Sequence, residues 1–137
     1  MIAPRAVIDQ ARAWVGVPFL HQGRTRNGAD CLGFIAACLN ELGSDIFLRY
    51  LPTNYARAPQ SLLIDGMMHL TRQIDLEPAA LMLIQFPLQA HPAHAAIYTG
   101  ESMIHTDQMI GRVVEHSYGG QWVARTKSIW AIPLVTY

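Results

Sequence analysis

The stretch that decides the fold is Asn27-Gly28-Ala29-Asp30-Cys31-Leu32-Gly33-Phe34-Ile35. A polar, glycine-containing loop leads into Asp30, a residue type that caps helix N-termini, and an apolar helix follows. The pattern places Cys31 in the first helical turn, where unpaired backbone N–H groups and the helix dipole favour the thiolate. We therefore predict that the pKa of the Cys31 thiol lies below the ~8.5 of a free cysteine.

Two histidines far downstream supply the base that a reactive thiol needs. His94 and His105 fall in segments that read as neighbouring strands joined by a hairpin, Thr99-Gly100-Glu101-Ser102. An even loop centred on Gly100-Glu101 places both histidines on one face, as diagonal neighbours with α-carbons roughly 7–8 Å apart, whereas an odd loop separates them. We assign Cys31 as nucleophile, His94 as general base and acid, and His105 as the residue that orients His94.

The hydrophobic periodicity places helices in the first part of the chain and strands in the second. Helices are predicted from Pro4 to about Gly16, over about residues 31–42, and from Pro59 to about Arg72. Residues 44–58 read as loop, and strands are predicted at 81–86, 94–99, 103–106, 112–117 and 128–135. This order predicts one α+β domain over residues 1–137, with an antiparallel sheet packed on the helix that carries Cys31.

The composition excludes several classes of function. Ten basic and ten acidic residues cancel, so there is no basic excess of the kind that binds nucleic acid. The start of the chain lacks the pattern of a secretory signal, and no stretch approaches the ~20 apolar residues of a membrane span. We therefore expect synthesis in the cytoplasm and no membrane partner.

Cys38, two helical turns after Cys31, is too distant for a disulfide and is predicted to be a small buried hydrophobe.

A metal site is the alternative reading of the histidines. His91 and His94 have ligand-like spacing, but Pro92 between them argues against a helical pair and no carboxylate pattern supports zinc. We predict neither a metal nor a cofactor.

Trp122 is interpreted as a packing residue, although it could border a groove. The remaining histidines without a partner pattern are expected to be structural: His21, His69 and His116.

Four segments in order carry a resemblance to a known family. They are Ala13-Trp14-Val15-Gly16-Val17-Pro18-Phe19, Asp30-Cys31-Leu32-Gly33-Phe34, His94-Ala95-Ala96-Ile97-Tyr98-Thr99-Gly100 and Met103-Ile104-His105. With these segments the chain resembles the NlpC/P60 cysteine peptidases, in particular the short phage and gene-transfer-agent cell wall peptidases. The resemblance implies a papain-like fold, a Cys-His-His triad, and hydrolysis of the γ-D-glutamyl bond to diaminopimelate or lysine in peptidoglycan stem peptides.

The resemblance also implies substrate contacts. Asp30 is expected to bind a free peptide amine, and Phe19 and Trp14 are assigned to substrate binding, although Trp14 alone would also fit a core or rim position. The family usually has tyrosine where this chain has Phe19, and the missing hydroxyl removes a hydrogen-bond donor.

Two further functions remain open beside a phage tail-associated peptidase. Phe19 is compatible with a tail-tip assembly protein that keeps the fold with weak or lost activity. A thiol acyltransferase of the same superfamily is the third candidate, although the chain lacks the membrane-anchoring segment expected there.

Overall fold

A computed structural model of the protein describes residues 1–55 and 60–137. Within these ranges the elements are α1 (Pro4–Arg12), β1 (Arg24–Thr25), β2 (Gly28–Ala29), α2 (Cys31–Glu41), α3 (Ile46–Tyr50), α4 (Ser61–Met68), β3 (Leu81–Ile84), β4 (His94–Tyr98), β5 (Ser102–His105), β6 (Val114–Ser117), α5 (Gln121–Arg125) and β7 (Thr126–Trp130). Four of the five helices precede the strands of the main sheet, which confirms the predicted α+β class.

Strands β3 to β7 form one antiparallel sheet in the order β6-β5-β4-β3-β7. Because side chains alternate along a strand, one face joins the main hydrophobic core through Leu83, Ala95 and Ile97. The other face carries a smaller apolar cluster that includes Met82 and Ala96. Both faces of the central strand β4 are therefore covered.

Helix α2 lies in the middle of the main core. Residues 31–39 are all buried, and the helix packs against α1, α3 and β4. Asp30 caps its start, because Oδ1 accepts a hydrogen bond from the N–H of Gly33 at 2.8 Å. Gly43 ends it with a φ of 96°, which glycine adopts at little cost. The helix therefore begins at Cys31 as predicted.

Two predicted helices are shorter in the structure. Helix α1 ends at Arg12, and a turn continues to Gly16, whose N–H donates to the carbonyl of Val113. Helix α4 covers Ser61–Met68, and the predicted start at Pro59 lies outside the described residues. No helix in the part of the chain that the structure describes is long and apolar enough to cross a membrane.

Two short helices and one strand were not predicted correctly. Helix α3 forms inside the predicted loop because Phe47, 1% exposed, anchors it in the core. Helix α5 also has five residues, too few to show a helical period. Strand β7 spans 126–130, where 128–135 was predicted; Pro133 has no N–H to donate to a ladder.

Candidate active site

Cys31 and His94 line one cavity of about 200 Å³, where the start of helix α2 meets the start of strand β4. Phe19, Asp30 and Phe86 also line this cavity. The structure therefore brings together the predicted nucleophile and the predicted base, which are 63 positions apart in the chain.

The protonation state of the thiol differs from the prediction. Burial, followed by the charge of Asp30, raises the pKa of Cys31 to about 12. Hydrogen bonds from the backbone N–H groups of Ala95 and Leu32 lower the pKa, but by less. The expectation of a lowered pKa is therefore wrong, because it considered the helix start and left out burial. The resting sulfur carries its proton, and a base has to remove it during the reaction.

Strand register explains why the two predicted histidines meet. Ile97 faces Ile104 and Tyr98 faces Met103, which is the even hairpin loop assumed from Gly100-Glu101. His94 and His105 therefore lie on the same face as diagonal neighbours. Nε2 of His94 is 2.7 Å from Nδ1 of His105.

A third histidine extends this contact. Nε2 of His105 lies 2.7 Å from Nε2 of His116, and Nδ1 of His116 donates to the carbonyl of Ser117 at 3.0 Å. The sequence shows no partner pattern for His116, whereas the structure places it against His105. His105 follows His94 by 11 residues, and His116 follows His105 by 11 residues. On successive antiparallel strands this spacing places the three side chains in a diagonal row. The repeated spacing is the signal that sequence reasoning missed.

Aromatic side chains bury the row of histidines. The ring of Phe86 lies 5.0 Å from His94, and Trp122 of α5 lies 5.1 Å from both His105 and His116. Burial lowers the pKa of His94 to about 3; burial, followed by the neighbouring histidines, lowers that of His105 to about 3. Both rings are therefore neutral at rest. Among the described residues, no group of three or more His, Cys, Asp or Glu side chains is placed to hold a metal ion.

These neutral histidines predict acid sensitivity of the fold. In the unfolded chain a histidine takes up a proton near pH 6.5, whereas folded His94 and His105 do so only near 3. Below pH 6.5 the unfolded state binds up to two more protons, so stability is full above that pH and falls by up to about 2.7 kcal/mol per unit below it. Urea denaturation between pH 7 and 5, above the titration of most carboxylates, measures this slope.

Two variants assign that slope to the buried rings. His94→Gln removes one of the two groups, so its slope should fall to roughly half. His69→Gln removes a histidine whose side chain is 66% exposed, and its slope should equal that of the wild type. Equal stability of the wild type at pH 7 and pH 5 would contradict the prediction.

Asp30 is held in place by three donors. Oδ1 accepts from Gly33, and Oδ2 accepts from the N–H of Gln22 at 3.0 Å and from the hydroxyl of Tyr55 at 2.5 Å. The Tyr55 hydroxyl thus binds Asp30, which lines the cavity, whereas Phe19 has no hydroxyl to offer there. Sequence reasoning missed Tyr55, because it lies in a loop without a motif. Asp30 is 1% exposed, so its carboxylate is fixed before any ligand binds.

Of the predicted substrate contacts, Phe19 and Asp30 line the cavity, whereas Trp14 is not among the described residues that do so. Trp14 is 2% exposed, packs on Phe34 and donates its Nε1–H to Glu41. This placement fits the core position left open for Trp14, and we do not include it in the proposed substrate site.

Thr106 adds a polar group that the sequence did not single out. Its side chain is buried and lines the cavity, and Oγ1 has no hydrogen-bond partner among the described residues. A buried hydroxyl without a partner costs about 1–3 kcal/mol. A polar group of a ligand in the cavity would remove that cost.

The sequence profile of the NlpC/P60 family matches residues 16–131. The chain belongs to the NlpC/P60 family. No curated protein sequence matches this NlpC/P60 chain significantly.

Solved structures show the same papain-like α+β fold as this NlpC/P60 chain. The NlpC/P60 domain of the peptidoglycan hydrolase SagA has a TM-score of 0.68 at 21% identity, over 96% of this chain and 100% of that one. An NlpC/P60 protein from Bacillus cereus has a TM-score of 0.68 at 19% identity, over 93% of this chain and 39% of that one. The peptidoglycan hydrolase RipB from Mycobacterium tuberculosis has a TM-score of 0.66 at 16% identity, over 98% of this chain and 65% of that one. The chain thus spans all of the SagA domain but only about two fifths of the Bacillus cereus protein.

Proposed function

We propose that this NlpC/P60 protein is a cysteine peptidase that hydrolyses peptidoglycan stem peptides with Cys31, His94 and His105. The supporting observation is that the Cys31 thiol and the His94 imidazole line one cavity while His105 holds Nε2 of His94 at 2.7 Å. Family membership supports the same chemistry, and two structures of similar fold, SagA and RipB, are described as peptidoglycan hydrolases.

The arrangement supports the following steps of acyl transfer. Nε2 of His94 is occupied by His105, so Nδ1 is the nitrogen that takes the proton from the Cys31 sulfur. The thiolate attacks the carbonyl carbon, and the backbone N–H at the helix start stabilises the negative oxygen that forms. The C–N bond then breaks, His94 gives its proton to the leaving amine, and water hydrolyses the thioester.

Acidic side chains in the cavity support a substrate with a free amine. Asp30 and Asp107 both line it, and either carboxylate attracts an ammonium group. Stem peptides carry such groups, so we propose cleavage of the γ-D-glutamyl bond to diaminopimelate or lysine, with Asp30 at the free amine. Phe19 and Thr106 also line the cavity, and the Thr106 hydroxyl has no hydrogen-bond partner among the described residues.

We also propose that a phage tail or related particle carries the enzyme to the cell wall. The support is the likeness of its motifs to the short phage and gene-transfer-agent peptidases. Co-purification of the chain with tail proteins from lysed producer cells tests this association independently of enzymatic activity.

Mass spectrometry of defined muropeptides tests the proposed reaction. We expect the wild type to release the fragment cut after the γ-D-glutamyl residue, and Cys31→Ala to release none. Muropeptides that differ in the third residue or lack the free amine report the scissile bond and the role of Asp30. Intact substrate after incubation with folded, reduced wild type would overturn the proposal and favour a structural tail protein.

A further inference from the structure

The carbonyl of Ser117 fixes the direction of hydrogen bonding along the row of histidines. A carbonyl oxygen only accepts, so Nδ1 of His116 carries a hydrogen, and Nε2 of the neutral ring does not. That Nε2 must accept from Nε2–H of His105, which leaves Nδ1 of His105 without a hydrogen. Nδ1 of His105 in turn accepts from Nε2–H of His94. The lone pair therefore ends up on Nδ1 of His94, the nitrogen assigned to the thiol.

We propose that His116 is a positioning residue at the outer end of a three-imidazole relay, which keeps Nδ1 of His94 unprotonated and takes up the proton released by Cys31. The inference deepens the proposed function and rests on it, because that function makes Cys31 the nucleophile. No residue beyond His105 is needed to state the triad. His116 adds a fixed tautomer and a place for the positive charge.

Burial of His94 and His105 is the reason why the positive charge brought by the thiol proton comes to rest on His116. His94 is 3% exposed and His105 is fully buried, so an imidazolium at either position is a desolvated charge. His116 is only partly buried, and the Ser117 carbonyl already accepts its Nδ1–H. A proton taken from the thiol is therefore held at the least cost on the outermost ring of the three.

The relay moves one proton in three steps. The S–H bond of Cys31 breaks and an N–H bond forms at Nδ1 of His94, which gives its Nε2 proton to Nδ1 of His105. His105 gives its Nε2 proton to Nε2 of His116, which becomes an imidazolium. When the leaving amine takes the Nδ1 proton of His94, the two transfers between rings reverse. Every ring then returns to its resting tautomer, and no proton is lost or gained beyond the one passed to the amine.

The charged groups nearest the relay lie on the cavity side and on helix α5. Asp107 acts on His105 from the cavity side, where Asp30 and the thiol also lie. On the covering helix α5, the guanidinium of Arg125 lies 5.1 Å from the Trp122 ring, which packs on His105 and His116. Arg125 thus opposes and Asp107 favours a positive charge in the row.

The charged neighbour on the strand of His116 faces the other way. Glu115 alternates with His116 along β6, pairs with Arg12 at 3.0 Å and accepts from Ser102. Its carboxylate is therefore neutralised on the opposite face of the sheet. A proton on Nε2 of His116 turns that nitrogen from an acceptor into a donor toward His105. His105 and His94 then have to reverse their tautomers, and Nδ1 of His94 loses its lone pair.

Nitrogen NMR of the imidazole rings tests the resting state directly. Long-range ¹H–¹⁵N spectra of the wild type at neutral pH should show Nε2–H tautomers at His94 and His105 and an Nδ1–H tautomer at His116. In His116→Ala, both buried rings should lose their single tautomer. An Nδ1–H tautomer at His94 in the wild type would overturn the relay.

Alkylation of the thiol by iodoacetamide as a function of pH tests the relay without a peptide substrate. In His116→Gln the amide oxygen accepts from His105 but cannot take a proton. We expect its alkylation rate at pH 7 to fall by about 10-fold, part of the ~10²–10⁴-fold that a positioned base contributes. The pH dependence of the alkylation rate should also differ from that of the wild type, because the amide cannot hold the proton that the relay delivers to position 116. His69→Gln, at the exposed end of α4, should behave as the wild type.

The results separate the relay from the proposed function. A wild-type pH profile in both His116→Gln and His116→Ala would overturn the relay even if muropeptides are cleaved. A lowered rate with the pH dependence of the wild type would show a merely structural role for His116 and would also overturn the relay. A changed pH dependence in His116→Gln, when the wild type cleaves no muropeptide, would support the relay and refute only the proposed substrate.

Discussion

Replacing Cys31 with alanine is expected to lower kcat/KM for stem-peptide cleavage by a factor of about 10⁴ or more, because the sulfur forms the thioester. The fold should be retained, since the change removes one sulfur atom from the wall of an existing cavity. Product release from a defined muropeptide, followed by chromatography, measures the rate. Circular dichroism and urea denaturation check the fold of the variant.

The same helix offers a matched control. Cys38 lies two turns further along α2, is fully buried, and its pKa is raised to about 12 chiefly by burial. Cys38→Ala should therefore keep its kcat/KM and lose only about 1 kcal/mol of stability to the small void. Activity that survives in Cys31→Ala, or disappears in Cys38→Ala while the protein is folded, would contradict the assignment of the nucleophile.

Alanine at position 33 is expected to destabilise the protein by about 3 kcal/mol or more. A Cβ on Gly33 would lie 1.8 Å from the carbonyl oxygen of Gly23 and 3.0 Å from Oδ1 of Asp30. The Gly23 carbonyl also accepts from the N–H of Asp30, so the loop cannot move away without disturbing the helix cap. Activity should fall as well, because that cap holds the residue before Cys31. The urea midpoint and the muropeptide assay measure the two effects.

The sign of this effect separates packing from helix propensity. Propensity alone predicts that alanine in a helix is more stable than glycine by about 1 kcal/mol. Gly119→Ala is the control, since a Cβ there meets nothing within 4 Å, and it should change stability by less than about 0.5 kcal/mol. A Gly33→Ala protein as stable as Gly119→Ala would show that the close backbone approach is relieved at no cost.

The parts of the site that the sequence predicted are those decided by local rules. An aspartate before an apolar run caps a helix in most contexts, and Asp30 does so here. The glycine-containing turn at 99–102 predicts a hairpin, and the period of two along a strand places His94 beside His105 once the loop is even, which is the register that the structure has. These rules depend on a few consecutive residues, so a single sequence is sufficient to apply them.

The parts that the sequence missed depend on packing between distant segments. The pKa of Cys31 is set by how deeply α2 is buried, which no window around the residue reveals. Tyr55 reaches Asp30 from a loop 25 residues away, and Trp122 reaches the histidines from a helix too short to show a period. The equal spacing of the three histidines was visible, but the third became meaningful only with the pairing of β5 and β6.

The segments around Ile2 and Val135 lie beside each other. Ile2 and Val135 form a parallel bridge, in which the N–H of Ile2 donates to Leu134 at 2.8 Å and that of Thr136 donates to Ile2 at 2.9 Å. A linker of a few residues would therefore close the chain into a ring, and new ends could be opened at the exposed turn around Gly43.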